Sequence, residues 1–463
     1  MNSEWRRAIH KKHQLYNKYW KCRNSRNWHN YRRQRNLCEK LKRSSIKNYM
    51  NERCTNSKNE PKEFWKTISP YFVDKSKKSD GLQLIEGNAL INSPKEVAQL
   101  FNDKYSTIAN EIGKDSPYNN NENLSQHPSF DIITKHVESV NAKTFDFKHS
   151  CVANVCKILN SLDCSKATGY DKIPAKAMKC SSNVMAPILC NTINKMIDQS
   201  MFPDSLKKAE VIPVHKSKSR LSWTNFRPVS ILTCISKIFE TVLANQMHPH
   251  LESVYSKYLS AYRKDMGCHS VLLHATETWK HALDRKLYLG IIMSDLSKAF
   301  DCLPHTLLVE KLKRYNFSND ASDLLKSYLT GRSQRVKVQN DTSEWAILNK
   351  GVPQGSVVGP HCFNLYVNDL LLLLSDRNIT PCNYADDTSI SVTGKTKAET
   401  IASIRESLGI LVKWFDENLM KANVSKFQFM LLCPNNKENL EVHVVNANGI
   451  TLESQDGAKL LGV

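Results

Sequence analysis

Asn383-Tyr384-Ala385-Asp386-Asp387-Thr388 places two adjacent carboxylates among apolar and strand-forming residues, the pattern of a tight hairpin with an acidic tip. Neighbouring like charges are costly unless something neutralises them. A divalent cation does so, and Mg²⁺ prefers hard oxygen ligands from one or two carboxylates plus substrate phosphates. A bare Asp-Asp pair is more often a surface turn. The upstream run Ile291-Ile292-Met293-Ser294-Asp295-Leu296-Ser297-Lys298-Ala299-Phe300-Asp301 reverses that preference, because an apolar strand there runs straight into an aspartate. Two-metal phosphoryl transfer requires carboxylates from separate strands to converge on one point. Asp295, Asp386 and Asp387 are such a set and are the candidate metal ligands. Asp301 is expected to be structural, capping a helix opened by Pro304 and His305.

Outward from these runs, strand-like segments at 209–215, 287–294 and 388–392 alternate with helical stripes, most clearly Ile401, Ile404, Leu408, Leu411 and Phe415. The interleaving predicts an α+β core with a mainly antiparallel sheet. Upstream, Val155, Ile158, Leu159 and Leu162 recur at helical spacing, as do Val97, Leu100, Phe101, Tyr105 and Ile108. The stretch 116–129 is rich in Asn, Ser and Pro and reads as a boundary. Three regions follow: a basic, mostly helical extension over 1–125, a helical lead-in over 126–207, and the catalytic region over 208–463.

The chain has 463 residues, 41% of them apolar, enough for a substantial core in two or three domains. Its formal charge of +20 favours a polyanionic partner through counterion release, and nucleic acid leads the candidates. Residues 1–50 carry fifteen Lys or Arg against two Glu, interleaved with Trp5, Tyr16, Tyr19, Trp20, Trp28 and Tyr31. Such a segment reads as an RNA- or DNA-facing arm, against the alternative of a merely solvated helix. The fourteen cysteines show no CxxC pair and are read as reduced thiols of an intracellular protein. No apolar run is long enough to cross a membrane.

Three runs, in this order, resemble successive motifs of non-LTR retrotransposon reverse transcriptases: Ser294 to His305 (SDLSKAFDCLPH), Gly351 to Pro360 (GVPQGSVVGP) and Tyr384 to Thr388 (YADDT). Asn225 to Leu232 is similar to the family's fingers motif, Ala422 to Lys426 to its post-catalytic lysine motif, and Lys459 to Val463 to the start of its primer grip. The jockey-like group fits best. The resemblance implies a right-hand polymerase with fingers and a ferredoxin-like antiparallel palm sheet, preceded by the basic helical extension. It implies an RNA-directed DNA polymerase that adds dNTPs to a DNA primer on an RNA template, with two Mg²⁺ ions for which Mn²⁺ is a substitute.

Roles carry over by matching residues. Asp295 matches the first catalytic aspartate, and Asp386 and Asp387 the acidic pair, with Tyr384 beside them as a substrate-binding candidate. Phe300 matches the aromatic that underlies the incoming sugar and excludes a 2′-hydroxyl; read alone, a Phe is usually core. Gln354 and Gly355 match residues lining the nucleotide and template side. Lys216 and Arg227 match fingers residues that hold the triphosphate, for which a guanidinium offers a bidentate contact. Lys426 matches a lysine proposed to protonate the pyrophosphate leaving group. Phe427 departs from the pattern, since many relatives have Thr there.

By the same resemblance the chain is expected to be a fragment without the element's endonuclease and thumb. An inactive or domesticated RNA-binding remnant is the alternative reading, and a group II intron maturase, which shares YADD, a third. Target-primed copying implies the nucleus, with cytoplasmic assembly on RNA; the oligomeric state is open.

Overall fold

The computed structural model describes residues 3–56, 63–65, 81–111, 118, 121–296, 298–377, 379–434 and 442–463. Two compact units divide the chain, residues 1–81 and 82–463. The first contains a helical hairpin, Ser3–Lys21 against Ser25–Asn56. Its turn is tied by Asn27, whose backbone N–H donates to Asn24 Oδ1 at 2.8 Å and whose side chain donates to the Cys22 carbonyl at 2.9 Å. Farther along, the buried Gln34 amide reaches across to the Ala8 carbonyl at 3.0 Å.

In the second unit, β1 (Leu84–Glu86) and β2 (Ala89–Ile91) form a small hairpin. Then come β3 (Lys208–His215), β4 (Phe226–Ile231), β5 (Tyr288–Ser294), β6 (Arg332–Val338), β7 (Asp341–Thr342) and β8 (Ala346–Leu348). They are followed by β9 (Thr380–Tyr384), β10 (Asp387–Gly394), β11 (Gln428–Leu432), β12 (Val444–Ala447) and β13 (Ile450–Glu453). Helices alternate with these strands, so the architecture is α+β as expected.

A four-stranded, wholly antiparallel sheet has the order β11–β5–β10–β9. The central strand β5 is apolar at nearly every position because both its faces are covered. Ile292 joins the main core with Ile404, Leu408 and Phe415 of the helix Lys397–Glu417. Leu289, Ile291 and Met293 point the other way, into a cluster with Ala282 and Trp279 of the helix Cys268–Asp284. The second sheet joins β3 antiparallel to β4 and parallel to β6, with β7 and β8 on β6.

The helix Pro94–Glu111 packs on this second sheet. Its Val97, Phe101 and Tyr105 bury against Val211, Phe226, Val336 and Val338. The division between compact units therefore falls at Gly81–Leu82, ahead of the polar stretch at 116–129. The apolar stripe assigned by composition to the basic extension instead covers a sheet built from residues more than a hundred positions later.

Beneath the first sheet lies a buried ion pair. Lys311 Nζ donates to Asp369 Oδ1 (2.7 Å), Asn418 Oδ1 (2.6 Å) and the Tyr366 carbonyl (2.9 Å), while Trp414 Nε1 donates to Asp369 Oδ2 (2.9 Å). Both charged side chains are fully buried. Desolvation pulls the Lys311 ammonium pKa down, and Asp369 opposes it. No helix among the described residues is long and apolar enough to cross a membrane.

Candidate active site

The acidic tip is made by the β9–β10 hairpin. Tyr384 pairs with Asp387, which leaves Ala385 and Asp386 as the turn. Ala385 adopts φ 57°, a conformation that costs a non-glycine residue about 1–2 kcal/mol. The buried Asn383 side chain holds it there, donating to the Ala385 carbonyl and to Thr388 Oγ1, each at 2.9 Å. Thr388 pairs with Ser294, so one step farther along the β5–β10 ladder Asp387 faces Asp295. Strand register thus brings together carboxylates separated by more than ninety positions.

Burial raises the Asp387 carboxyl pKa above the ordinary value of 3.8, and the Asp386 and Asp295 charges raise it further; Lys216 and Lys426 oppose the shift. Lys216, in the turn after β3, therefore reaches the same field as the three aspartates. Lys426 Nζ donates to Asp295 Oδ2 at 2.7 Å, and Asn423 Nδ2 donates to the same oxygen at 3.0 Å. Asp295, Asp387, Lys426, Lys459 and Leu460 line one cleft of about 180 Å³. Phe427, the residue that departs from the motif, is buried in the core.

The loop at 351–355 is clamped from two sides. Gly351 N–H donates to the Leu303 carbonyl and Val352 N–H to that of Phe300, each at 2.8 Å, while the Gln354 carbonyl accepts from Ser230 N–H of β4 at 2.8 Å. Gly351 has φ +83°, and a Cβ there would lie 2.5 Å from the Asp301 carbonyl oxygen. Gly351→Ala is expected to cost about 1–3 kcal/mol from backbone conformation alone, with the clash in addition. Urea unfolding checks this, and an unchanged midpoint would refute it.

Asp301 does not cap the next helix. That helix, His305–Arg314, has Pro304 at its N-cap and no side-chain cap. Asp301 is instead half-buried and accepts a hydrogen bond from Gln354 Nε2 at 2.8 Å. Burial pushes its pKa up to about 6, against the opposing influence of that bond and of Lys298. A partner arriving from fifty positions downstream displaced the local cap. Gln354 thus has its amide nitrogen committed to Asp301, and Gly355, at φ +127°, abuts the Ser230 carbonyl.

Phe300 is half-buried, stacked on Phe363 with centroids 4.5 Å apart and edge-on to Tyr262 at 6.3 Å. Arg227 is exposed on β4 opposite Val214. Tyr384 packs with Val271, Ala275 and Leu461.

Three further residues were not among the candidates, although Asn423 lies inside the Ala422 to Lys426 motif. Tyr262 bridges Phe300 and the Asp386 charge, which together with burial raises its phenol pKa. Asn423 fixes Asp295. Glu240, fully buried, accepts from Val357 N–H (2.6 Å) and Val358 N–H (3.2 Å) and so anchors the GSVVGP segment. The only trace of Glu240 in the sequence is an acid on an otherwise apolar helix stripe.

The donor set suits a hard divalent cation: carboxylate oxygens from adjacent strands, where burial first and then the Asp386 and Asp295 charges raise the Asp387 pKa. Among the described residues no three His, Cys, Asp or Glu side chains are gathered tightly enough to hold a metal, and Asp295 is bonded to Lys426 and Asn423.

Comparison with known proteins agrees with this geometry. Residues 206–463, more than half the chain, match the family described as Reverse transcriptase (RNA-dependent DNA polymerase). The chain is 26% identical over 328 residues to the probable RNA-directed DNA polymerase from transposon BS of Drosophila melanogaster, covering 67% of this chain and 35% of that protein. It is 24% identical over 302 residues to the RNA-directed DNA polymerase from mobile element jockey of the same species, covering 64% and 33%. It is also 25% identical over 215 residues to a putative COX1/OXI3 intron 2 protein of Saccharomyces cerevisiae, covering 45% and 23%. The chain spans about a third of the length of the first two relatives. On the extent of the family match and the order of its motifs, this chain belongs to the reverse transcriptase family, and two of its relatives carry the names of RNA-directed DNA polymerases of a transposon and a mobile element.

Proposed function

We propose that the chain is an RNA-directed DNA polymerase that extends a DNA primer with dNTPs on an RNA template. The observation that carries the reading is the strand register that sets Asp387 across from Asp295, with Asp386 adjoining. The antiparallel sheet of β11, β5, β10 and β9 serves as the palm, and β3 and β4 as fingers. In the reaction the primer 3′ oxygen bonds the α-phosphorus of the nucleotide while the bond to pyrophosphate breaks. Asp295, Asp386 and Asp387 would hold divalent cations, Mg²⁺ in the first instance, which when bound would supply activation of the attacking oxygen and neutralisation of the leaving one.

The remaining work belongs to the side chains. Lys216 and Arg227 hold the triphosphate as point and forked charges. Lys426, 2.7 Å from Asp295 in this state, leaves that carboxylate and gives a proton to the departing pyrophosphate. Phe300, fixed on Phe363, blocks the space a ribose 2′-hydroxyl needs. Gln354 and Gly355 form the wall on the template side, with Gln354 held by Asp301.

Primer extension by the purified chain on poly(rA)–oligo(dT) with Mg²⁺ and dTTP tests the reading. Incorporation is expected, its loss in an Asp386→Asn, Asp387→Asn variant, and use of UTP by Phe300→Val. RNA binding without incorporation would leave a non-catalytic RNA-binding protein as the better account.

A further inference from the structure

The helical hairpin of residues 3–56 carries sixteen Lys or Arg against three Glu, a formal +13. Charge alone would suit any polyanion. The hairpin also has an aromatic group beside its turn. Tyr16 lies 6.3 Å from Trp20 and 5.2 Å from Tyr31, and Trp28 lies 5.1 Å from Tyr19 and 5.7 Å from Tyr31, between ring centroids. Three of these rings face solvent, Trp20 at 55%, Trp28 at 40% and Tyr16 at 39% exposure. The Arg23 guanidinium sits 4.3 Å from the Trp20 ring centroid, and Lys18, Lys21, Arg26 and Arg32 are exposed nearby.

Two exposed indoles within a strongly basic surface narrow the choice of ligand. A duplex offers phosphates but keeps its base faces stacked inside. An apolar protein surface would cover the indoles but leave the cations without partners. An unpaired strand offers both a line of phosphates and free base faces, the combination such a surface fits.

We infer that the closed end of this hairpin binds an unpaired stretch of RNA, with Trp20 and Trp28 stacking on bases while the surrounding Lys and Arg contact phosphates. That the strand is RNA rests on the polymerase reading, in which the template ahead of the primer is the single strand at hand. The site is separate from the aspartates in sequence and needs none of them.

The test uses the full chain and fluorescence anisotropy of labelled rU20, dT20 and a 20-base-pair duplex. Trp20→Ala with Trp28→Ala is expected to weaken rU20 binding at least about tenfold, since each base–aromatic stack is worth about 1–3 kcal/mol. The slope of log Kd against log salt stays unchanged, because the phosphate contacts remain. Duplex binding stays unchanged as well. Trp20→Phe with Trp28→Phe retains a stacking ring and most of the rU20 affinity, which separates lost stacking from a lost fold. Unaltered rU20 binding in the Ala variant, an equal loss on duplex, or a loss confined to dT20 would overturn the inference. Asp386→Asn, Asp387→Asn should bind rU20 as the parent does. A parent that fails to extend primers yet shows the Trp-dependent rU20 affinity would thus count against the polymerase reading and not against this site.

Discussion

Asp387→Asn is expected to remove primer extension, by about 10³-fold or more, and at the same time to raise the melting temperature at pH 8. In the proposed reaction the loss follows from taking away one of three carboxylates that would hold the cations neutralising and positioning the polyphosphate, on the scale of removing a principal electrostatic stabiliser. The gain in stability follows from the same charge. Burial and the neighbouring Asp386 and Asp295 raise the Asp387 pKa, so its ionised form is disfavoured in the folded chain. A carboxyl raised in the fold contributes stability that is fully present below its ordinary value near 3.8 and is lost as pH rises through the folded value. The difference in melting temperature between variant and parent should therefore be near zero at pH 4 and grow toward pH 8. Added Mg²⁺ should narrow it, because a bound cation relieves the parent alone. Thermal unfolding at several pH values, with and without Mg²⁺, reads this directly. A variant no more stable than the parent at pH 8 would mean that Asp387 is not under the repulsion its position implies.

The second large effect concerns stability. Lys311→Ala leaves Asp369 fully buried without its ammonium and is expected to cost about 3–5 kcal/mol. Asn418 and the Tyr366 carbonyl lose their donor as well. Lys311→Met paired with Asp369→Leu should recover most of that loss, because replacing both charges by apolar groups removes the desolvation cost along with the attraction. Urea denaturation of the single and double variants measures it. If Lys311→Ala unfolds at the parent's midpoint, the pair is not the junction described between the helices His305–Arg314, Gly359–Asp376 and Lys397–Glu417.

What could be read in advance depended on the range over which each residue acts. β3, β5 and β10 were legible because apolar strands between turn residues need only local pattern, and the stripe from Ile401 to Phe415 announced its helix in the same way. The meeting of Asp295 with Asp387 was legible only through the order of motifs, since no local rule joins positions 295 and 387. Asp301 shows where local reasoning fails. Its place before Pro304 suited a cap, but Gln354 arrived through a loop whose course depends on Gly351 and on Ser230. Glu240 and the Lys311–Asp369 pair left even less trace, as their partners come from 117 and 58 positions away. The Val97–Tyr105 stripe was recognised as a helix and assigned to the wrong neighbours, because periodicity reports an apolar face and not what covers it.

That stripe also bears on how the chain is made. The helix Pro94–Glu111 leaves the ribosome first, and the β6 residues Val336 and Val338 that cover it follow more than two hundred residues later. At about 5–20 residues per second, Phe101 and Val97 wait roughly 10–50 s for these β6 partners. During translation this segment therefore needs a holding chaperone until β6 arrives, and slowing synthesis between positions 111 and 332 should lower the yield of folded protein.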